Sequence, residues 1–411
     1  MAEIVVVWRT PPTQDIAPFV KPMTQLSILE TIWAEIDLGA IAHNTAELRK
    51  KAGKARFMAV VKANAYGHGI LAVAHRALQS GADWLGVARF GEAMTLRDAG
   101  IRERVLIFGH TPPERGPAMI EQDLTPTVFD LQTASRLSEA ADRLGKRLKI
   151  HVKIDTGMGR LGILPDSRRP GTDPQSAPIR AAREIAAIGR LPGIEIEGVY
   201  THFASADDAD KAFARQQLAV FTKLIDAVQH EDIAISLRHA ANSAAIIDLP
   251  ESHLDMVRAG IALYGLAPSA QTGIKTVDLL PAMALKARIV HLKQVPAGFP
   301  VSYGSTYRTA APTTIATVPI GYADGYSRLL SNRGCMLVRG VRAPIAGRVC
   351  MDQTMLDVGH VEGVAVGDEV VAFGTQNGAV LPADELAAEL NTINYEIVSS
   401  IMDRVPRVYV G

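Results

Sequence analysis

Cysteine is nearly absent: the 411 residues hold two, Cys335 and Cys350. Two thiols build neither a disulfide framework nor a cysteine-based zinc site, so a reducing, cytoplasmic setting without a metal is expected. Net charge is missing too. The 43 Lys and Arg residues balance 43 Asp and Glu residues, so no overall field draws the chain to nucleic acid or to an anionic membrane surface. A small, roughly neutral partner is expected instead. No apolar run approaches the ~20 residues that span a bilayer, and the early run at 4–8 is shorter than a signal-peptide core. There is no internal repeat and no low-complexity tract.

Apolar residues are plentiful, at 48%, and the length predicts two domains rather than one. Residues 1–30 hold Pro11, Pro12, Pro18 and Pro22 among mixed polar residues. They read as a disordered extension, with Met23 an alternative start. From Trp33 onward, short apolar strands at 57–61, 84–88, 105–108, 127–129, 148–154, 194–200, 235–239 and 255–258 alternate with helical patterns at 70–80, 92–99, 130–144, 179–188 and 207–229 and after Asn242. Eight strands alternating with helices predict a (β/α)8 TIM-like barrel over 31–268, with functional groups at the C-terminal strand ends. An irregular stretch at 165–178, rich in Pro, Asp, Ser and Arg, reads as a surface insertion. Beyond it, 269–411 carries β-branched segments at 284–295, 313–320, 335–338, 354–358 and 369–373, broken by Gly and Pro turns, with one helical pattern at 383–390. This predicts a mainly β C-terminal domain.

The stretch RFMAVVKANAYGHG places Lys62 at the end of a strand apolar on both faces. Burial there disfavours the ammonium and frees the amine as a nucleophile or base. A lysine snorkelling into water is the bland alternative. The full string VVKANAYGHG resembles the signature of the alanine racemases, pyridoxal phosphate (PLP) enzymes of fold type III whose lysine carries the cofactor as a Schiff base. Further motifs extend the resemblance from about Trp33 to Gly411: KIDTGMGRLG with Arg160, THFA with His202, HAANSAA with Ser243, DMVRAGIALYG with Arg258, Gly260 and Ile261, VSYGSTY with Tyr303, PIGYADGY with Tyr322, GRVCMDQ with Met351 and Asp352, and TINYE with Tyr395.

Ser243, Gly260 and Ile261 also follow a rule of this barrel, which builds phosphate sites from the loops after its seventh and eighth strands. The resemblance adds Tyr66 and Tyr395 as phosphate-binding tyrosines and puts Arg258 against the pyridine nitrogen, where a group that only donates cannot help to protonate the ring. It implies that Lys62 and Tyr303 are the two catalytic bases, on opposite faces, with Tyr303 from the partner subunit of a homodimer and aided by His202. Arg160 would contact substrate, as would Met351, supported by Asp352, from the partner subunit; Tyr322 would line the substrate entry. Lys153, in KxDTGMGR, would be carbamylated (N6-carboxylysine), unless Asp155 holds it as a plain ion pair. The implied activity is interconversion of L-alanine and D-alanine, supplying D-alanine for peptidoglycan. A broad-specificity amino-acid racemase and a PLP-binding protein without racemase activity are the alternatives.

Overall fold

The computed structural model describes residues 30–165, 177–269, 272 and 276–411. The proline-containing leader and nearly all of 165–178 thus lie outside the described residues. The first strand, β1 (Ile32–Asp37), leads into helix α1 (Leu38–Ala52), started by the Asp37 carboxylate accepting from Ala40 N at 2.9 Å. Arg49, Lys50 and Lys51 in the last turn complement the helix dipole.

Eight parallel strands follow: β2 (Arg56–Val60), β3 (Trp84–Val87), β4 (Arg104–Ile107), β5 (Leu124–Val128), β6 (Leu148–Lys153), β7 (Ile194–Tyr200), β8 (Leu237–His239) and β9 (Met256–Ala259). They pair in the order β8-β7-β6-β5-β4-β3-β2-β9. Single bonds close the ring between the end strands, from Asp255 N to Arg238 O (3.0 Å) and from Arg258 N to Ala241 O (3.1 Å). Alternation splits each strand. Phe57, Ala59, Leu85, Val87, Val105 and Ile107 pack outward on the helices, whereas Met58, Trp84, Leu106, Leu237 and Met256 form a separate apolar cluster inside the barrel.

The strands expected from apolar runs are present, with some bounds displaced: β5 begins at Leu124, because Thr125 and Pro126 hid its start, β8 begins at Leu237 rather than 235, and the segment expected at 284–295 is two strands, Met283–Arg288 and His291–Val295. Helix α2 (Ile70–Gln79) follows β2, and α3 (Phe90–Asp98) follows β3. Helix α4 (Gly116–Glu121) was not marked by periodicity. Helix α5 (Leu131–Arg143) is capped by Asp130, which accepts from Thr133 N at 2.7 Å. Then come α6 (Ala177–Gly189), α7 (Ala212–Gln229) and the short α8 (Ser243–Asp248). The pattern starting at 207 becomes helical only at Ala212.

The second domain is mainly β. A seven-stranded sheet runs from Val341–Pro344 through Cys335–Val338, Glu369–Gln376 and Met283–Arg288, and a three-stranded sheet joins His291–Val295, Thr313–Val318 and Thr354–Asp357. Ala379–Leu381 pairs with the end of Glu369–Gln376, and the two strands that complete the sheet lie far apart in sequence. β1 pairs antiparallel with Met283–Arg288 on one side and parallel with Arg407–Val410 on the other, so the segment that leads into the barrel lies in the second domain's sheet.

Candidate active site

Lys62 follows β2 at the C-terminal mouth of the barrel, and the backbone beyond it is unusual. Ala63, Asn64, Ala65 and Tyr66 all have φ between 52° and 54°, a single left-handed helical turn. Ala65 N bonds Val61 O (2.9 Å), Gly67 N bonds Ala63 O (3.0 Å) and Gly69 N bonds Asn64 O (2.9 Å). Left-handed residues cost about 1–2 kcal/mol each, and the surroundings hold the turn by its polar groups. The Glu92 carboxylate accepts from Ala63 N at 2.6 Å, and Asn64 Oδ1 accepts from Ile70 N at 2.9 Å. Arg407 Nε donates to Gly67 O at 3.0 Å. Side chains are excluded at both glycines, since a Cβ on Gly67 would stand 2.3 Å from Val398 O and one on Gly69 would stand 2.0 Å from Tyr409 Oη.

His68 lies fully buried beneath this turn, its Nδ1 3.1 Å from Ala65 O and 3.0 Å from Tyr66 O. Burial lowers its pKa from 6.5 to about 4, against the pull of those carbonyls. The unfolded chain therefore binds the extra proton first. Stability contributed by neutral His68 is complete above the unfolded value and lost as pH falls from about 6.5 towards 4. His68→Gln is expected to flatten the fall of the urea midpoint across that pH window; a fall as steep as in the parent protein would contradict this.

The Lys62 ammonium is disfavoured, first by burial and then by Arg160, while Glu92 partly opposes the shift. Arg160 arrives by a loop folded back on itself. The Asp155 carboxylate accepts from Gly157 N (2.9 Å), Gly159 N (3.0 Å) and Arg160 N (3.0 Å). That use of Asp155 bears on Lys153, which is 5% exposed with Nζ 4.3 Å from the centre of the Tyr200 ring. Its pKa is pushed far down by burial, then by Arg258 and Arg160, with Asp155 only a partial offset. Among the described residues Lys153 has no carboxylate within ion-pair distance.

Arg258 occupies the floor of the mouth, 4% exposed. Nη1 donates to His239 Nδ1 (2.8 Å); Nη2 donates to Thr201 O (2.8 Å) and Ala240 O (2.9 Å) and faces His202 Nδ1 (3.2 Å). Its acceptors are all neutral, and Nε is outside these bonds. Burial, then Arg258, holds His202 and His239 uncharged.

Ser243 is not a helix cap: Asn242 takes that role, accepting from Ala245 N at 3.1 Å. The Ser243 hydroxyl instead accepts from Gly260 N (2.8 Å) and Ala262 N (3.3 Å). A Cβ on Gly260 would lie 2.8 Å from Tyr66 Oη and 3.7 Å from Ser243 Oγ. Ser243, Gly260, the adjoining Ile261 and Tyr66 thus converge on one cradle. Tyr395 stands beside it, its ring 6.2 Å from that of Tyr66.

Tyr303, Tyr322, Met351 and Asp352 lie on the second domain. Tyr303 is 70% exposed, flanked by Ser302 and Ser305 at φ 63° and 46°. Ser302 Oγ donates to Arg348 O (2.6 Å), and Tyr322 N donates to Cys350 O (3.1 Å), which ties the Tyr303 and Tyr322 turns to the strip that ends in Met351 and Asp352. Met351 is 53% exposed, and Asp352 pairs with Arg404 at 2.8 Å. Within one chain, the charged groups acting on Lys62 come from the barrel alone.

Sequence reasoning passed over Glu92, Tyr200 and His239 as individual site residues. Glu92 was discoverable as the third residue after Arg89, since it accepts from both Ala88 N (2.8 Å) and Arg89 N (3.0 Å) at the start of α3. Nothing local marked Tyr200, which stacks on His239 with ring centres 4.6 Å apart.

Comparison with known proteins follows the same division. Residues 36–268 match the family model for the alanine racemase N-terminal domain, and residues 282–409 match the model for the alanine racemase C-terminal domain. An alanine racemase of Desulfosudis oleivorans is 56% identical over 379 residues, covering 92% of this chain and 96% of that protein. Among solved structures, alanine racemase of Clostridium difficile 630 superposes with a TM-score of 0.86 at 39% identity, over 92% of this chain and 96% of that one. Alanine racemase of Bacillus anthracis with bound L-Ala-P gives 0.85 at 36% identity, over 93% and 95%.

Proposed function

The chain belongs to the alanine racemase family, and on that premise we propose that it interconverts L-alanine and D-alanine with PLP held by Lys62 and with two bases, Lys62 and the Tyr303 of a second copy. The carrying observation is the setting of Lys62, whose half-buried amine is biased toward its neutral form at the barrel mouth, beyond the point where Met58 pairs with Arg258. The residues present fit PLP. Ser243 Oγ, the Gly260 and Ile261 backbone and the Tyr66 hydroxyl surround a space closed to any side chain at Gly260, which suits a phosphate. Tyr395 would complete it, and Arg258 Nε–H is free of the bonds that fix the other nitrogens. When bound, PLP withdraws electrons from the substrate Cα and makes its hydrogen acidic.

The chain's own groups then decide where that proton goes. Lys62 removes it from D-alanine on one face while Tyr303 delivers a proton to the other to give L-alanine; from L-alanine the roles exchange, with Tyr303 removing the proton and Lys62 delivering one. A phenol, whose usual pKa is about 10, is a poor base at neutral pH. His202 would help, because its Nδ1 faces Arg258 and leaves Nε2–H to stabilise a phenolate by donation. Arg160 orients the substrate carboxylate, with Met351 from the partner. Arg258 only donates, so it holds the ring nitrogen unprotonated and limits side reactions. The proposed product is D-alanine for peptidoglycan, made in the cytoplasm by a homodimer whose sites are shared between subunits. Circular dichroism of L- and D-alanine turnover tests the reading. Equal optical decay from both enantiomers supports it, and preference for larger amino acids over alanine would favour a broad-specificity racemase.

Lys153 is proposed to be carbamylated. Its neutral amine can attack carbon dioxide, forming a C–N bond and releasing one proton to water. The resulting carbamate places a negative charge between Arg258 and Arg160, where Asp155 is already committed to the loop. Carbon-13 NMR after labelled bicarbonate is expected to show one protein carbamate that Lys153→Ala abolishes. A bare amine in fully active enzyme would refute it.

A further inference from the structure

Below the mouth, a line of side chains descends from Arg258 through the barrel. Arg258 Nη1 is 2.8 Å from His239 Nδ1, His239 Nε2 is 2.9 Å from His151 Nδ1, and His151 Nε2 is 3.6 Å from Glu197 Oε2. Both imidazoles are fully buried, and Glu197 is 13% exposed. The guanidinium has donors only, so the first link fixes the rest. His239 Nδ1 must accept, which puts its hydrogen on Nε2; His151 Nδ1 then accepts from that hydrogen, which puts its own on Nε2. That last hydrogen faces a carboxylate. Every hydrogen in the line points away from Arg258 and toward Glu197.

The backbone is irregular where it seats this line. Along the β6–β7 ladder Ile150 pairs with Ile196, but His151 pairs with Gly198, leaving Glu197 as the extra residue of a bulge. A Cβ on Gly198 would lie 2.7 Å from His151 Cε1, so the glycine makes room for the ring. Trp84 lies against His151 with ring centres 5.3 Å apart, Tyr200 stacks on His239, and Arg104 and Lys149 (3.6 Å) pair with Glu197 and favour its charged form.

We propose that Glu197 and His151 are positioning residues that lock His239 as the Nε2–H tautomer, so that its Nδ1 can only accept and Arg258 is held as a donor toward the cofactor's ring nitrogen. This rests on the placement of Arg258 proposed above. Reversing the line would set an imidazole N–H against a guanidinium N–H, and Arg258 would lose its shortest side-chain contact.

Asparagine and leucine have nearly the same shape, but only asparagine can accept from His239 Nε2, so they separate polarity from packing at position 151. In nitrogen-15 NMR of histidine-labelled holoenzyme, His151 and His239 are expected as neutral Nε2–H tautomers. His151→Asn should retain the His239 tautomer and keep kcat within about threefold, whereas His151→Leu should lower kcat about tenfold or more with KM for alanine changed less than about threefold. A wild-type His151 or His239 with its hydrogen on Nδ1 overturns the relay, even if the leucine variant fails to fold. Equal kcat in folded asparagine and leucine variants overturns the positioning role. Absence of alanine racemisation in the wild-type holoenzyme instead sinks the functional reading, and the tautomers still report on the relay.

Discussion

Mixing two inactive variants, Lys62→Ala and Tyr303→Phe, is expected to restore racemisation. Alone, Lys62→Ala loses the cofactor linkage and one base, a loss of about a thousandfold or more, while Tyr303→Phe retains the cofactor and loses about a hundredfold or more. The geometry behind the expectation is an asymmetry of exposure. Lys62 is largely buried at the barrel mouth, whereas Tyr303 stands 70% exposed on the second domain between two left-handed serines. Backbone strain clusters at active sites and ligand clamps, which suits a side chain that completes a site on a second copy. In a shared-site dimer, a heterodimer of the two variants has one site with both lesions and one with neither. After full subunit exchange of an equal mixture, about a quarter of wild-type activity should return. Activity at the level of the separate variants, with exchange verified by mass spectrometry, would place both bases in one chain.

Replacing Arg258 with Glu is expected to slow racemisation about a hundredfold or more and to raise the share of turnover that ends in pyruvate. Four acceptors, two of them imidazole nitrogens and two backbone carbonyls, converge on the guanidinium. A carboxyl group there can donate at most one hydrogen, so most of these acceptors lose their partner in a dry setting, which costs about 1–3 kcal/mol each. Where arginine could only donate, a carboxyl group can share a proton with the ring nitrogen and strengthen the ring's pull on electrons. Racemisation and pyruvate formation are both measurable on one sample. An unchanged ratio between them in a folded variant would remove Arg258 from the ring nitrogen.

How much of this was legible in the sequence depended on whether the signal was local. Barrel strands such as β2 and β6 are short runs buried on the outer face and filled on the inner, so periodicity found them within a residue or two. Asp130 acts through a neighbour three residues away and is readable as cap chemistry, whereas at α8 the adjacent Ser243 is an equally good cap by sequence and Asn242 takes the role. The left-handed turn was not legible. Its positions are Ala, Asn, Ala and Tyr, whereas positive φ is ordinarily announced by glycine. The bulge at Glu197 depends on the register between β6 and β7, which no single strand encodes. Asp155 beside Lys153 in alternation suggested an ion pair, but the carboxylate was taken by three backbone N–H groups of the following loop. Helix α1 escaped notice because its buried stripe, Ile41, Thr45 and Leu48 with Asn44, includes two polar residues: Thr45 bonds back to Ile41 O at 2.7 Å, and the partner of Asn44 Nδ2, Leu263 O at 3.1 Å, lies far along the chain.

The strand Arg407–Val410 flanks β1, Arg407 holds the carbonyl of Gly67, and Tyr409 fills the space beside Gly69. On the ribosome these contacts form only after every barrel strand has been made. With synthesis at roughly 5–20 residues per second, β1 waits on the order of tens of seconds for its parallel neighbour. By the end of that interval the barrel segments have all emerged, yet the turn after Lys62 is held only by Glu92 and Asn64 and lacks Arg407 and Tyr409. A nascent chain stalled before residue 407 can therefore have a complete set of barrel strands without a settled lysine. A strand made after the whole barrel thus secures the C-terminal end of the first barrel strand, so the turn that presents Lys62 is settled late in synthesis.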